Sequence, residues 1–387
     1  SASPRPASPV YGRAYSPRFP RGHVLDPEFV RWYCLGDELG AGGYGFVMTA
    51  IHRLAGHEVA VKFIIKDKVP EHAWMTDAHG KSVPTEALLL GLLDHPNIVR
   101  CLDLYEDELY FYLVQELHGA PWVAKTKVPL HESSSHASTP SLTPSPSIAS
   151  EMPPTPPPES PAPSRIASGM SSASSPVARP PSEPLKAEQS PALLDAIRPS
   201  FHRRPSHDLF ECIEQSAQKR LSEAQARFVF AQVVEAVAYL DAQGVTHCDI
   251  KDENILVDER LNVKLVDFGS AVVVDPAEAR PHYTVFFGTT AYAASEVLLK
   301  KPYRAPPAEV WTLGVLLSYL LTGASPFPTE RDAIQGRVVL HEKDGPGTCV
   351  SEVAEDLMLR CLEPHPGDRA TIADVRNHTW LRGAFDL

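Results

Sequence analysis

Long apolar runs are missing from this 387-residue chain. The most apolar stretch, Val310 to Leu321, is broken by Thr312, Gly314 and Ser318. A bilayer crossing needs about 20 apolar residues, so this stretch suits a buried core helix. Neither a membrane span nor a secretory signal is expected. Basic charge is also short: 36 Lys and Arg face 48 Asp and Glu, a formal net charge of −12. That argues against general binding to nucleic acid or an anionic lipid surface, both of which need a basic face. It is compatible with basic protein or peptide partners. Cysteine is sparse: Cys34, Cys101, Cys212, Cys248, Cys349 and Cys361 are scattered, with no C-x-x-C pair. Free thiols in a reducing, intracellular compartment, cytoplasmic or nuclear, are the expectation. The chain opens on serine rather than methionine, as a fragment would.

Proline, by contrast, is plentiful at 38 residues, and it is concentrated. Residues 1–28 alternate Ser, Pro and Arg without apolar periodicity and are expected to form a disordered lead-in. Residues 120–206 are dominated by Pro, Ser and Ala. They lack the aromatic and β-branched clusters that would offset the entropy of ordering, so they read as a disordered insert. A long insert is tolerable because each doubling of a loop costs only about 0.6 kcal/mol. Ser-Pro and Thr-Pro pairs recur in it, at Thr139, Thr143, Ser145, Thr155, Ser160, Ser175 and Ser190, and Arg203-Arg204-Pro205-Ser206 looks like a basic phosphorylation site. The expectation is a regulatory tether, phosphorylated by proline-directed kinases and able to dock partners.

Residues 29–119 and 207–384 remain, and they carry the chemistry. A strand from Phe29 to Leu39 runs into Gly40-Ala41-Gly42-Gly43-Tyr44-Gly45-Phe46-Val47, with a second strand at Glu58–Ile64. Glycine lets backbone lie close over a phosphate. A strand–glycine loop–strand hairpin differs from nucleotide loops that lead into a helix. Lys62 lies within the second strand and needs an internal partner. Glu86 supplies one, at the start of an otherwise apolar helix over Thr85–Leu93. Leu109–Leu117 reads as another strand, ending at Gln115 and Glu116. Ser222-Glu223-Ala224-Gln225 is a capping-box pattern that opens a helix ending at Gly244. Beyond it comes His247-Cys248-Asp249-Ile250-Lys251-Asp252-Glu253-Asn254, then a hairpin from Ile255 to Val266, then Asp267-Phe268-Gly269. Asp249 could accept a hydroxyl proton, and Lys251 could neutralise a moving phosphoryl group. Asn254 and Asp267, at strand ends near each other, could share a metal.

These segments resemble the protein-kinase signature: the glycine loop, V-A-I-K at Lys62, H-R-D-x-x-x-x-N at Asp249 and Asn254, and D-F-G at Asp267. Gly288 to Glu296 resembles G-T-x-x-Y-x-A-P-E with Ser295 in place of proline, and Glu309-Val310-Trp311-Thr312-Leu313-Gly314 opens the buried helix. Finer features are similar to PAS-domain-regulated serine/threonine kinases of the calmodulin-kinase/AMP-kinase-like group: Val61 to Val69, Trp74, Glu116-Leu117-His118-Gly119, Lys251 to Asn254, Asp267 to Ala271 and Pro302-Tyr303-Arg304. No PAS domain is recognisable in this chain.

The resemblance implies an α+β, bilobal fold: a small β-rich lobe with a hinge at 29–119 and a helical lobe at 207–384. It also implies an ATP site. Leu39, Gly40, Ala41, Gly42, Gly43, Tyr44, Gly45 and Val47 would cover the nucleotide. Val47, Ala60 and Leu256 would sandwich adenine, with Gln115 at the gatekeeper position, Glu116 and His118 in the hinge, and Asp208 by the ribose. Lys62, held by Glu86, would reach the phosphates. Asn254 and Asp267 would hold Mg²⁺, Asp249 would be the base, and Lys251 would stabilise charge. Glu296 would pair with Arg369. Protein substrates with Ser or Thr near basic residues are implied, Glu253 and Asp208 receiving arginines, within nutrient and metabolic signalling. Cys248 stands where the signature has arginine. It cannot bind an activation-loop phosphate, so activity is expected not to depend on phosphorylation of Thr284. The competing reading is a pseudokinase that binds ATP as a scaffold.

Overall fold

Strand register decides which side chains can meet in the first half of the protein. The computed structural model describes residues 9–119, 207–216, 218–340 and 350–386. A helix α1 (Pro27–Trp32) leads into strands β1 (Tyr33–Ala41), β2 (Gly45–His52) and β3 (Glu58–Ile65). A small hairpin, β4 (Trp74–Thr76) with β5 (Ser82–Pro84), precedes helix α2 (Thr85–Leu92). Strands β6 (Cys101–Glu106) and β7 (Tyr110–Glu116) complete an antiparallel sheet of order β1-β2-β3-β7-β6.

Val47 lies opposite Lys62, and Ala60 opposite Gln115. Because side chains alternate across a strand, these four share one face. The other face carries Phe46, Met48, Val59, Val61, Phe63, Tyr112 and Val114 into an aromatic-rich core.

Two expectations are corrected here. Residues 9–28 are not a disordered lead-in; they fold back on that aromatic face. Phe19 is fully buried, its ring edge-on to Phe46 and Phe63 at 5.0 and 4.9 Å. Backbone bonds Gly12 N→His23 O (3.1 Å) and Leu25 N→Val10 O (2.9 Å) tie the segment to itself. A few well-placed apolar residues, Phe19, Leu25 and Phe29, are enough to anchor a chain otherwise rich in Pro and Arg. The strand expected from Phe29 begins only at Tyr33. Asp26 accepts from Phe29 N (2.7 Å) and Pro27 occupies the first turn, which nucleates α1 instead.

The second half is mainly helical. A two-residue strand β8 (His207–Asp208) and helix α3 (Leu209–Gln215) precede the long helix α4 (Glu223–Ala242). The Ser222–Gln225 capping box is present there as predicted. Short strands β9 (Val245–Thr246), β10 (Ile255–Val257), β11 (Val263–Leu265) and β12 (Val272–Val273) frame residues 247–254 and 267–269. Helices α5 (Ser295–Leu298), α6 (Ala305–Thr322), α7 (Glu330–Gln335), α8 (Glu352–Cys361) and α9 (Ile372–Arg376) follow.

Helix α6 contains the Val310–Leu321 stretch, with Trp311 fully buried at its centre. No described helix is long and apolar enough to cross a membrane. One core runs from α2 through α4 to α6 and α8 and so joins the two halves. The insert at 120–206, with its Ser-Pro and Thr-Pro sites, and Cys349 lie outside the described residues.

Candidate active site

The site is built where the inner face of the sheet meets the catalytic stretch. Lys62, on β3, is aimed at Glu86 in the first turn of α2; its Nζ lies 2.6 and 2.8 Å from the two carboxylate oxygens. A third contact reaches Asp267 Oδ1 at 3.0 Å. Burial works against the ammonium charge, but Asp267 and Glu86 outweigh it and raise the Lys62 pKa. The lysine cation lowers the Asp267 pKa in return, against the effect of burial. Lys62 therefore stays protonated and Asp267 ionised.

Asp267 adopts a left-handed backbone (φ 64°) and caps the turn Phe268–Ser270. For a residue with a Cβ this conformation costs about 1–2 kcal/mol. Phe268, fully buried, repays some of that cost by packing on His247 at 4.7 Å.

Asp249 sits in a closed hydrogen-bond ring. Its Oδ1 accepts from the amide (3.0 Å) and hydroxyl (2.8 Å) of Thr289, and its Oδ2 from Asn254 Nδ2 (2.9 Å). Asn254 Nδ2 also reaches the Asp249 carbonyl at 2.8 Å, which leaves its side-chain oxygen without a hydrogen bond among the described residues. Lys251 Nζ donates to Thr289 Oγ1 (2.9 Å) and lies 3.4 Å from Asp249 Oδ2 and 3.1 Å from Glu253 Oε2. Burial opposes its charge, but Asp249 and Glu253 outweigh that and raise its pKa. Main-chain bonding of Val266 N to Asn254 O (3.1 Å) brings the two expected metal residues onto adjacent strand ends.

His247 had no assigned role in the sequence reading, although it opens the catalytic stretch. It is fully buried. Its Nε2 meets Val266 O at 3.1 Å, and its Nδ1 accepts the Asp249 amide at 3.3 Å. Burial lowers its pKa, so the ring is neutral, one nitrogen donating and the other accepting.

Cys248 also has a positive φ, 66°. Its amide donates to Glu309 Oε1 (3.0 Å), and its thiol faces Thr246 O at 3.6 Å. Burial raises the thiol pKa well above its ordinary value, so no thiolate forms there. Glu309, buried beneath the loop, has its pKa raised to about 7 by burial, despite the amides of Cys248 and His247.

The remaining expected residues lie on β8, at the end of β7 and just beyond it. Asp208 pairs in register with Leu256 on β10, and its Oδ1 caps α3 through Glu211 N (2.7 Å). Burial raises its carboxyl pKa to about 6. Glu116 accepts from Arg100 N (2.8 Å) and pairs with Lys264 (2.7 Å), and His118 Nε2 meets Asn262 O at 3.0 Å.

Gly45 must be glycine: a Cβ there would lie 1.9 Å from Phe63 O. At Gly40, Gly42 and Gly43 the same added atom meets nothing within 4 Å. These positions therefore border open space, and the Tyr44 ring lies 3.9 Å from an added Cβ on Gly269. Leu39 and Ala41 flank the loop on β1 and are partly exposed.

Glu296 and Arg369 form the expected pair, bidentate at 2.9 and 2.8 Å. Ser295, in place of proline, donates to Pro364 O at 2.5 Å.

The segment after Asp267 is tied to its surroundings by backbone and side-chain bonds. Val272 and Val273 pair with Thr246 and Val245. Arg280 binds Gly244 O and Asp241, each contact 2.8–2.9 Å. Tyr283 bridges Tyr303, whose hydroxyl reaches Val285 O at 3.0 Å. Thr284 is exposed between these ties.

The sequence matches the protein kinase domain family over residues 33–134 and 201–381, the break between the two stretches falling inside the proline-rich insert. It is 31% identical to the PAS domain-containing serine/threonine-protein kinase of Mus musculus over 90% of this chain and 18% of that protein. It is 26% identical to Serine/threonine-protein kinase PSK1 of Saccharomyces cerevisiae, over 89% of this chain and 19% of the relative. Human NUAK family SNF1-like kinase 1 is likewise 26% identical, over 99% of the chain and 44% of that protein. The chain thus spans about a fifth of the length of the first two of these relatives. Matched across both halves of its fold, and similar to two proteins named as serine/threonine-protein kinases, it belongs to the protein kinase domain family.

Proposed function

We propose that this chain transfers the γ-phosphoryl group of ATP to Ser or Thr hydroxyls that lie near basic residues of protein substrates, in the metabolic signalling its PAS-kinase resemblance implies. The observation that carries the reading is the ring joining Asp249, Lys251, Asn254 and Thr289, set beside the Lys62–Glu86–Asp267 cluster. Asp249 lies where it can orient an acceptor hydroxyl and take its proton, while Lys251 holds positive charge next to the group being transferred. Lys62, fixed by two carboxylates, offers a charge already oriented toward the space under the glycine loop.

The donors also fit Mg²⁺: the spare oxygen of Asn254 and the ionised carboxylate of Asp267 are hard oxygen ligands from adjacent strand ends, few enough for phosphates and water to complete the set. When bound, the metal supplies charge that offsets developing negative charge on the phosphates.

The substrate side is tested with paired serine peptides. Arginine three residues before the serine should raise kcat/KM about tenfold over alanine, the worth of one charge-assisted contact. Asp208, its carboxyl raised to about 6, should lose that advantage as pH falls below 6, where it becomes protonated. Equal rates for both peptides at pH 7.5 would refute the preference.

A second expectation follows from the ordered segment after Asp267. Phosphatase treatment, or Thr284→Ala, should leave kcat within about twofold, because Arg280 and the Tyr283–Tyr303 bridge supply the ties that a phosphate would otherwise make. Loss of activity that is regained on rephosphorylation of Thr284 would overturn it.

A further inference from the structure

Two side chains of the segment 9–26 converge on one residue of β1, beside its separate contacts to Asp107 and Tyr112. Ser16, 1% exposed, donates its hydroxyl to Glu38 Oε2 at 2.8 Å. Arg18 Nε pairs with Glu38 Oε1 at 2.6 Å, and Ser16 Oγ accepts the Arg18 amide at 3.2 Å. Both carboxylate oxygens of Glu38 are therefore engaged by the segment. Glu38 lies between two register irregularities of β1 against β2, at Leu35/Glu38 and Glu38/Gly40. The strand is thus bulged where it enters the glycine loop, and that bulge is held from outside the sheet.

The sequence around this contact is Arg13-Ala14-Tyr15-Ser16-Pro17-Arg18. A Ser-Pro pair can be read by proline-directed kinases. We propose that Ser16 is a phosphoacceptor for a proline-directed kinase, and that its modification unlatches residues 9–26 from Glu38 and loosens the entry to the glycine loop. In that step Ser16 Oγ bonds to the γ-phosphorus of ATP, and the bond from that phosphorus to the β–γ bridging oxygen breaks. The hydroxyl proton passes to the modifying kinase's base, and ADP leaves.

The phosphorylated side chain cannot return to the docked position. It has lost the proton that bonded Glu38, and it brings a charge of about −1.5 to −2 against a carboxylate. A position 1% exposed also has no room for the added group. Arg18 is the nearby counter-charge, but transferring it to the phosphate takes it from Glu38. Because the docked serine is buried, the modifying kinase reaches it only when the segment opens, so phosphorylation traps a state that is transiently visited already.

The test uses the full chain carrying Asp249→Asn, so that its own activity adds no phosphate, treated with ATP and a proline-directed kinase. Mass spectrometry should find Ser16 modified. Hydrogen exchange at the amides of Gly12 and Leu25 should then accelerate at least about tenfold as the hairpin is released. Ser16→Asp should reproduce the acceleration, Ser16→Ala should not, and Ser16→Asp with Glu38→Lys should restore protection, which a merely misfolded segment would not do. In the otherwise native chain, Ser16→Asp should raise KM for ATP with kcat little changed. That last arm rests on the kinase reading, whereas the exchange arms do not, so the two can fail separately. An unmodified Ser16, protection retained after modification, or no rescue by Glu38→Lys would each overturn the proposal.

Discussion

Asp249→Asn should lower phosphoryl transfer by about 10²–10⁴-fold, the range for removing a general base, while nucleotide affinity and fold persist. The Asp249 carboxylate accepts three hydrogen bonds: two at Oδ1, from the amide and hydroxyl of Thr289, and one at Oδ2 from the Asn254 side chain. Asparagine keeps the shape but places an amide donor against one of these donors, and its other oxygen cannot take up a proton. Neither effect reaches Lys62 or the glycine loop, where the nucleotide would be held. The measurement is radiometric transfer to the arginine-containing serine peptide, with ATP affinity followed by calorimetry. Full activity in the variant would refute the assigned base. A native chain that binds ATP but transfers nothing would establish the scaffold reading, to which Cys248 and Ser295 give some support.

The second large effect concerns stability. Arg369→Ala should destabilise the helical half by about 3–5 kcal/mol, because removing one partner of a buried ion pair strands the other. Arg369 has a side chain with no exposure and Glu296 one that is 6% exposed. The guanidinium also donates to Pro307 O (2.7 Å) and Glu363 O (2.8 Å) and lies over Trp311 at 5.0 Å. It thereby ties α5, the start of α6 and the loop before α9 into one unit. Lysine cannot reproduce the planar fork, so Arg369→Lys should recover little. Urea unfolding followed by tryptophan fluorescence reports this directly, since Trp311 packs against the pair. A shift no larger than that of a surface substitution would contradict the assigned role.

The legible parts of this protein were those in which chemistry and local spacing coincide. The glycine loop, Lys62 and the Asp249–Asn254 stretch lie on short segments whose strand and turn signals are local, and Ser222 with Gln225 announced α4. Glu86 could be inferred because a carboxylate in an apolar helix demands a cation. The contacts of Thr289 with Asp249 and Lys251 span about 40 residues, and nothing in the intervening sequence encodes that distance. His247 gives no signal in the sequence because its part is geometric: a buried neutral ring bonded to the Asp249 amide and the Val266 carbonyl. The segment at 9–26 was misjudged because average composition hides the effect of position. Phe19 alone would read as an isolated aromatic among prolines and arginines, yet it is enclosed by Phe46, Phe63 and Tyr110. Glu38 likewise reads as a solvated charge until Ser16 and Arg18 are seen beside it.

Gln115 bears on medicinal chemistry. It is buried on β7, opposite Ala60, and its amide nitrogen has no hydrogen-bond partner among the described residues. A buried donor left unmet costs about 1–3 kcal/mol. A compound that places an acceptor there recovers that cost as affinity, whereas one that presents a hydrocarbon leaves it standing. Under the proposed kinase function, compounds that aim a carbonyl or ring nitrogen at the Gln115 amide should gain an affinity that their hydrocarbon analogues lack.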